Sequence, residues 1–213
     1  MLNIHNLENT GKQMGLYAAK EIDLISIRPL SRLNEPLYHN YEGAYEPDET
    51  CWRIAHQKEP FDLHELIEDF CNWYDRAIEL KGYQLTTVIS RDLPRFFEGN
   101  VLMLGFLLWD LAGFTQTYLV TGGVKLEIHS EPFKSNWHSI YFTFTVPGLG
   151  IPLAREKTLF LPNHKAKSST KNRVSNLYYA GMIAGVFDGI IRIQNEIGFG
   201  TTYIAEVCLQ NKS

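Results

Sequence analysis

The sequence predicts an α/β fold, a two-layer sandwich in which helices cover one face of a mixed, mostly antiparallel sheet. Two interspersed patterns predict this fold. Some stretches have apolar residues at helical spacing, and others have the alternation of polar and apolar residues that is typical of strands. The helical stretches cover 62–80, 100–119 and 175–187, and the strand-like stretches cover 83–90, 124–131, 138–146, 189–195 and 201–209. A hydrophobic content of 45% in 213 residues supplies a sizeable core.

The first clear helix follows Pro60. Apolar residues recur there at helical spacing and predict one buried face, made of Leu63, Leu66, Ile67, Phe70, Trp73, Ala77 and Leu80. Asp62 occupies the N-cap, where a carboxylate accepts hydrogen bonds from free backbone N–H groups. Lys81-Gly82 predicts the end of the helix.

The run from Val101 to Val120 is almost entirely apolar, and Asp110 is its only charged residue. A run of this length could span a bilayer, but a charge near its centre would be costly there. A helix that is apolar on nearly all sides is also typical of a deeply buried core element. We therefore expect a buried helix at 100–119 and no membrane span.

Bulk composition excludes several function classes. The net charge of −4 provides no global field that attracts nucleic acid. Cys51, Cys71 and Cys208 lie far apart, without metal-ligand spacing, and an odd cysteine count favours a reducing compartment. The first residues lack the basic and apolar regions of a secretory signal. We expect a cytoplasmic protein.

The residues before Pro60 predict less regular structure. A rough helical stripe consists of Leu16, Ala19, Ile22, Leu24, Ile25, Leu30 and Leu33. Pro29 interrupts it, and a connector rich in Pro, Glu and Tyr follows at 34–50. We expect residues 1–58 to form a helical arm and connector, and the arm is a candidate homodimer contact.

An ordered series of short motifs runs through the rest of the chain. It includes Phe61-Asp62-Leu63-His64-Glu65-Leu66-Ile67, Lys81-Gly82, Asp92-Leu93-Pro94, Gly99-Asn100, Leu107-Leu108-Trp109-Asp110-Leu111-Ala112-Gly113-Phe114-Thr115, Gly148-Leu149-Gly150-Ile151-Pro152, Leu159-Phe160 and Gly198-Phe199-Gly200-Thr201-Thr202-Tyr203. In order and spacing, this series resembles the ATPase module of histidine kinases, which belong to the GHKL ATPases and have the Bergerat fold. The resemblance implies an ATPase-like domain at 59–213.

The resemblance also implies where Mg²⁺ would be held. In the family's N box, the second Asn helps to hold Mg²⁺, and Asp110 stands at this position. Phe106 takes the place of the first Asn, and Gly113 takes the place of a Lys. An Asp can ligate Mg²⁺, so Asp110 is a candidate cofactor and metal residue. The favoured alternative is a core carboxylate bonded to backbone or water.

The family's G1 box implies an Asp that accepts a hydrogen bond from the adenine amino group. Val146 stands at this position, and a valine side chain cannot accept a hydrogen bond. An unpaired buried amino group costs about 1–3 kcal/mol, which is about tenfold to a hundredfold in affinity. Gly148 and Gly150 are present, either as nucleotide-binding residues or only to allow the turn.

The remaining boxes also depart from the family. The stretch matching the glycine-rich G2 box, Val174-Ser175-Asn176-Leu177, has no glycine. The closing Gly198-Phe199-Gly200-Thr201 matches, but its role in the family is mainly architectural. The loop at 162–173 carries Lys165, Lys167, Lys171 and Arg173. These cations could bind phosphate groups, an acidic partner or RNA, although a solvated loop is the favoured interpretation.

A phosphate acceptor is not evident from the sequence. Ser26-Ile27-Arg28-Pro29-Leu30 faintly resembles the family's acceptor stretch, but Leu24 and Ile25 occupy the histidine positions. His5, His39 and His56 lack the family's context. His64 falls off the apolar stripe, so we expect an ordinary exposed residue. No catalytic residue is assigned.

These observations favour a catalytically inactive histidine-kinase-like domain that acts through protein–protein interaction in bacterial signalling. In this hypothesis Asp110, Gly148 and Gly150 form a vestigial nucleotide site, no cofactor is used, and the partner is a kinase or response regulator. One alternative is a divergent kinase or ATPase that binds ATP and Mg²⁺ through Asp110 and the loop cations. The other is a histidine phosphotransfer protein that carries a degenerate ATPase-like domain.

Overall fold

The computed structural model describes residues 57–120, 122–161 and 177–212. The strands are β1 (Glu59–Asp62), β2 (Gln84–Ile89), β3 (Phe96–Gly99), β4 (Gly123–Lys134), β5 (Trp137–Pro147), β6 (Ile190–Glu196) and β7 (Gly200–Asn211). The helices are α1 (Leu63–Glu79), α2 (Val101–Tyr118), the short α3 (Leu153–Glu156) and α4 (Tyr178–Val186). The arm and connector were predicted at 1–58, and residues 1–56 of them lie outside the described residues, together with the candidate dimer contact of the arm. The loop at 162–173 lies outside the described residues as well.

The strands form one sheet in the order β1-β3-β7-β5-β4-β2, and β6 pairs with β7 beside this path. β2 and β4 are parallel, whereas the other neighbouring pairs are antiparallel. The central pair is β5 with β7, in register from Trp137 opposite Gln210 to Pro147 opposite Gly200. The prediction of a mixed, mostly antiparallel sheet is confirmed.

Burial alternates along the central strands, as it must when only one face of a sheet is covered. The covered side chains of β5 and β7 are Ile140, Phe142, Phe144, Val146, Tyr203, Ala205, Val207 and Leu209. They share one hydrophobic core with residues of α1, α2 and α4. The alternating neighbours on the other face include threonines, glutamates and Tyr141. The two-layer arrangement with helices on one face is therefore confirmed.

Helix α1 begins as predicted. Asp62 caps it by accepting hydrogen bonds from the backbone N–H groups of His64 (3.0 Å) and Glu65 (3.2 Å). The Arg95 guanidinium holds the same carboxylate at 2.6 Å. The turn after the helix contains Gly82, whose φ of +80° lies in the region that favours glycine.

The predicted buried face of α1 was wrong in its second half. Tyr74 and Ile78 are buried, whereas Trp73 and Ala77 are only half-buried and Leu80 is 90% exposed. From Phe70 onward the buried residues are four positions apart, at Tyr74 and Ile78. A spacing of four residues fits one face of a helix as well as a spacing of three does. Trp73 instead packs against Trp109 of α2, with ring centroids 3.9 Å apart.

Helix α2 is the predicted buried helix. Asn100 caps it and accepts a hydrogen bond from the Met103 backbone N–H at 3.0 Å. Most of its residues are buried, and the more exposed positions include Phe106, Asp110, Gly113 and Thr117. Within the described ranges, no helix is both long and apolar enough to cross a membrane.

Candidate functional site

The candidate site begins on the least buried stripe of α2. Phe106, Asp110 and Gly113 follow one another at helical spacing and therefore share a face. Asp110 retains partial exposure to solvent, while Gly113 is open to solvent, because a Cβ there would meet no atom within 4 Å. The three residues that replace the N-box pattern thus lie together, as the resemblance implies.

The Asp110 carboxyl is largely, though not fully, enclosed by protein, and no described residue gives it a polar partner. Burial raises its pKa from 3.8 to about 7. Within the described part of the chain, its side chain makes no hydrogen bond or ion pair, so the predicted bond to backbone is not found. The same described residues contain no group of three acidic, histidine or cysteine side chains able to hold a metal ion.

Val146 lies at the end of β5 and faces the helix layer. It pairs with Thr201 of β7 and is 3% exposed, inside the hydrophobic core. The position that should offer a carboxylate to adenine is therefore an apolar part of the core.

The two glycines that follow are needed by the backbone. Gly148 has a φ of +153° and Gly150 a φ of +76°. A Cβ on Gly150 would lie 2.9 Å from both the Asn195 Oδ1 and the Glu196 carbonyl oxygen. Gly148 also donates a backbone hydrogen bond to Phe199 (3.2 Å). These contacts support the alternative in which both glycines allow the turn, and their nucleotide role stays a prediction.

Asn195 fixes this turn, and the sequence analysis missed it. Its Oδ1 accepts hydrogen bonds from the Ile151 backbone N–H (2.7 Å) and the Thr201 hydroxyl (3.1 Å). Its Nδ2 donates to the Ile151 carbonyl (2.8 Å) and the Glu156 carboxylate (3.3 Å). An Asn inside a strand-like stretch was the only available signal, since Ile151 and Glu156 lie 44 and 39 positions away in sequence.

The start of α4 should approach phosphate groups if the resemblance extended to nucleotide binding. Leu177 stands there with a fully buried side chain, and its backbone N–H donates to the Leu159 carbonyl at 2.8 Å. Ile151 and Leu159 are buried as well. Val174, Ser175 and Asn176 lie outside the described residues. What is described at this end of the site is apolar packing around Leu177.

His64 is not the exposed residue that we expected. It is half-buried, and its Nε2 lies 3.0 Å from the Leu93 carbonyl oxygen. The imidazole thereby links the first turn of α1 to the segment before β3, which is a sufficient structural role. The other candidates, namely His5, His39, His56 and the cations of the 162–173 loop, lie outside the described residues.

Comparison with known proteins gives one sequence relative of note. The hybrid signal transduction protein dokA of Dictyostelium discoideum is 27% identical to this chain over 160 residues, which is 71% of the chain. The chain spans only 10% of the length of dokA. No protein-family model matches the sequence.

Solved structures show the fold more directly. Full-length ShkA, crystallised in complex with AMPPNP, superposes with a TM-score of 0.59 at 17% identity, over 74% of this chain and 32% of ShkA. The mycobacterial sensor histidine kinase MprB gives a TM-score of 0.51 at 14% identity, over 72% of this chain and 99% of MprB. MprB is a sensor histidine kinase, so the histidine-kinase-like fold is confirmed, and dokA is a signal transduction protein.

Proposed function

We propose that this chain is a catalytically inactive histidine-kinase-like domain that acts by binding a protein partner in two-component-type signalling. The observation that carries the proposal is Val146, an apolar core residue where the fold's adenine contact would require an acceptor. An adenine amino group buried against it would lose about 1–3 kcal/mol, or about tenfold to a hundredfold in affinity.

The phosphate side of the site supports the same proposal. Mg²⁺ beside nucleotide phosphates is held by one or two protein carboxylates, and Asp110 would have to supply one of them here. With a pKa of about 7, a large fraction of this carboxyl is uncharged at neutral pH. The buried Leu177 side chain stands where backbone N–H groups should approach phosphate. These features of the described residues support a site that has lost the binding of ATP with Mg²⁺.

Binding of a protein partner is supported by the surface around this site. Leu149 is 69% exposed on the turn between Gly148 and Gly150, and Leu153 is 68% exposed on α3. Exposed apolar side chains grouped on a rigid scaffold often mark protein contacts. The partner we propose is a kinase or a response regulator, as the histidine-kinase-like fold suggests, and the setting we propose is the cytoplasm.

Enzyme assays test the inactive state. The intact chain, incubated with ATP and Mg²⁺, is expected to release no phosphate above the buffer background and to acquire no acid-labile phosphate. Magnesium-dependent turnover that disappears in Asp110→Ala would contradict the proposal and favour a divergent ATPase.

A binding assay tests the partner surface. Purified receiver and kinase domains are titrated against the wild type and against Leu149→Ser and Leu153→Ser, which are expected to weaken binding. Phe133→Ser is the control, because Phe133 is also exposed and lies near the hairpin between β4 and β5, at the opposite end of β5 from Leu149. Equal weakening by all three variants would show that these two leucines form no specific surface.

A further inference from the structure

A second concavity lies on the sheet face that the helices leave uncovered. It measures about 460 Å³ and is bordered by Thr145, Gln194, Glu196, Phe199 and Thr202. Thr145 and Thr202 alternate along their strands with Val146 and Tyr203, which face the helices. The concavity is therefore on the opposite side of the sheet from the Asp110 face, and its volume is in the range of ligand pockets.

The chemistry of this concavity favours a cation. Among the described residues that line it, Glu196 is the only charged one, and no ion pair or side-chain hydrogen bond engages its carboxylate. The Gln194 amide likewise has no partner in the described part of the chain. The hydroxyls of Thr145 and Thr202 lie 3.4 Å apart and add acceptors to the floor.

An aromatic ring stands beside these acceptors. Phe199 is 74% exposed, so its ring is accessible to a ligand at this concavity. An aromatic face next to a carboxylate attracts cations, and a guanidinium both stacks on rings and donates several hydrogen bonds. Arg192 lies farther along β6 and does not compete, because it pairs with Glu206 at 2.8 Å.

The backbone that carries the ring and the carboxylate is fixed by hydrogen bonds. Glu196 and Phe199 are the ends of a turn closed by a 3.1 Å hydrogen bond from the Phe199 N–H to the Glu196 carbonyl. Gly198, with a φ of +88°, supplies the left-handed position that such turns require. Its N–H donates to the Leu149 carbonyl at 3.0 Å, which ties the turn to its neighbour. A rigid site loses less entropy on binding.

We propose that this concavity binds an arginine side chain of a partner protein, with the guanidinium stacked on Phe199, paired with Glu196 and hydrogen-bonded to Gln194 and Thr202. This arginine-binding site rests on the proposed function only because it requires a protein partner. The contact is independent of the Asp110 site on the other side of the sheet.

The test is an NMR titration of the ¹⁵N-labelled chain with N-acetyl-arginine amide. Saturable shifts are expected at residues 194–202, together with weaker binding of N-acetyl-lysine amide and none of the neutral isostere N-acetyl-citrulline amide. Glu196→Gln and Phe199→Leu are each expected to lower the affinity for the arginine probe about two- to fivefold. Glu68→Gln on α1 and Phe133→Leu at the far end of β4 are the matched controls and should leave it unchanged.

Three outcomes would overturn the proposal. These are equal shifts with citrulline and arginine amides, an arginine titration unaffected by Glu196→Gln, and tighter binding of spermidine than of the arginine probe, which would assign the site to a free polyamine. The wild-type comparison of the three amides holds even if a variant misfolds. Nucleotide binding does not enter the assay, so failure here leaves the inactive-kinase proposal standing, and the reverse also holds.

Discussion

Replacing Asp110 by Asn should remove a pH-dependent penalty on folding. Burial raises the pKa of Asp110 from 3.8 to about 7 in the folded chain. Below about pH 4 the carboxyl is protonated in both states, and its neutral form is accommodated. As the pH rises toward 7, the unfolded chain ionises first, so the folded state loses stability relative to it. Above about pH 8 both states are ionised and the loss is complete.

The magnitude follows from the same shift. One pKa unit is worth about 1.4 kcal/mol, so the full penalty is at most about 4 kcal/mol and the part that develops between pH 5 and pH 8 is at most about 3 kcal/mol. Partial exposure of Asp110 places the real value below these limits. Asn resembles the protonated carboxyl and does not ionise. The free energy of unfolding of the variant should therefore increase relative to that of the wild type as the pH rises.

Urea unfolding of both proteins at pH 5, 6, 7 and 8 measures this difference, with and without Mg²⁺. Asp75→Asn, on the exposed face of α1, is the control for removing a carboxylate. A stability difference that stays constant from pH 5 to pH 8 would refute the account of Asp110 as an unpartnered carboxyl. A wild type that gains stability from millimolar Mg²⁺ at pH 8, while Asp110→Asn does not, would identify a metal ligand instead.

Four further substitutions test the scaffold by thermal or urea unfolding. Asn195→Ala should lower the free energy of unfolding by about 1–3 kcal/mol, because the Ile151 backbone groups lose their hydrogen-bond partners. Unchanged stability would contradict the role of Asn195 in fixing the turn. Gly200→Ala should lower the free energy of unfolding by about 3 kcal/mol or more, since a Cβ would lie 2.2 Å from the Val146 carbonyl oxygen. Gly113→Ala should raise it by up to about 1 kcal/mol, because a Cβ at this helix position would meet no atom within 4 Å. Asp62→Ala should cost about 1 kcal/mol through the lost N-cap, and an unchanged midpoint would count against that cap.

Much of the fold could be predicted because its signals are local. The Asp62 cap and the apolar periodicity that follows define α1, and the uninterrupted apolar run defines α2. The paired strands β4 and β5 are long enough to show alternation. The buried row of α1 was less predictable, since spacings of three and four residues fit a helix equally well and only the Trp73–Trp109 contact distinguishes them.

Features that depend on distant partners were missed. Strands β1 and β3 have four residues each, too few for periodicity, and β3 is set by its pairing with the end of β7. Asn195 gains its role from Ile151, which lies 44 positions away. The position of Val146 in the motif series needed only the sequence, and its loss of an adenine contact stays a prediction. The enclosure of Asp110 could not, since it depends on packing.

The most direct test of the central claim is isothermal titration of the intact chain with a non-hydrolysable ATP analogue, with and without Mg²⁺. The account predicts no binding heat at millimolar ligand in either condition, because Val146 offers no acceptor and burial of Asp110 disfavours the charged carboxylate that a metal would need. Micromolar binding would contradict it, and a requirement for Mg²⁺ that is lost in Asp110→Asn would identify a working nucleotide site.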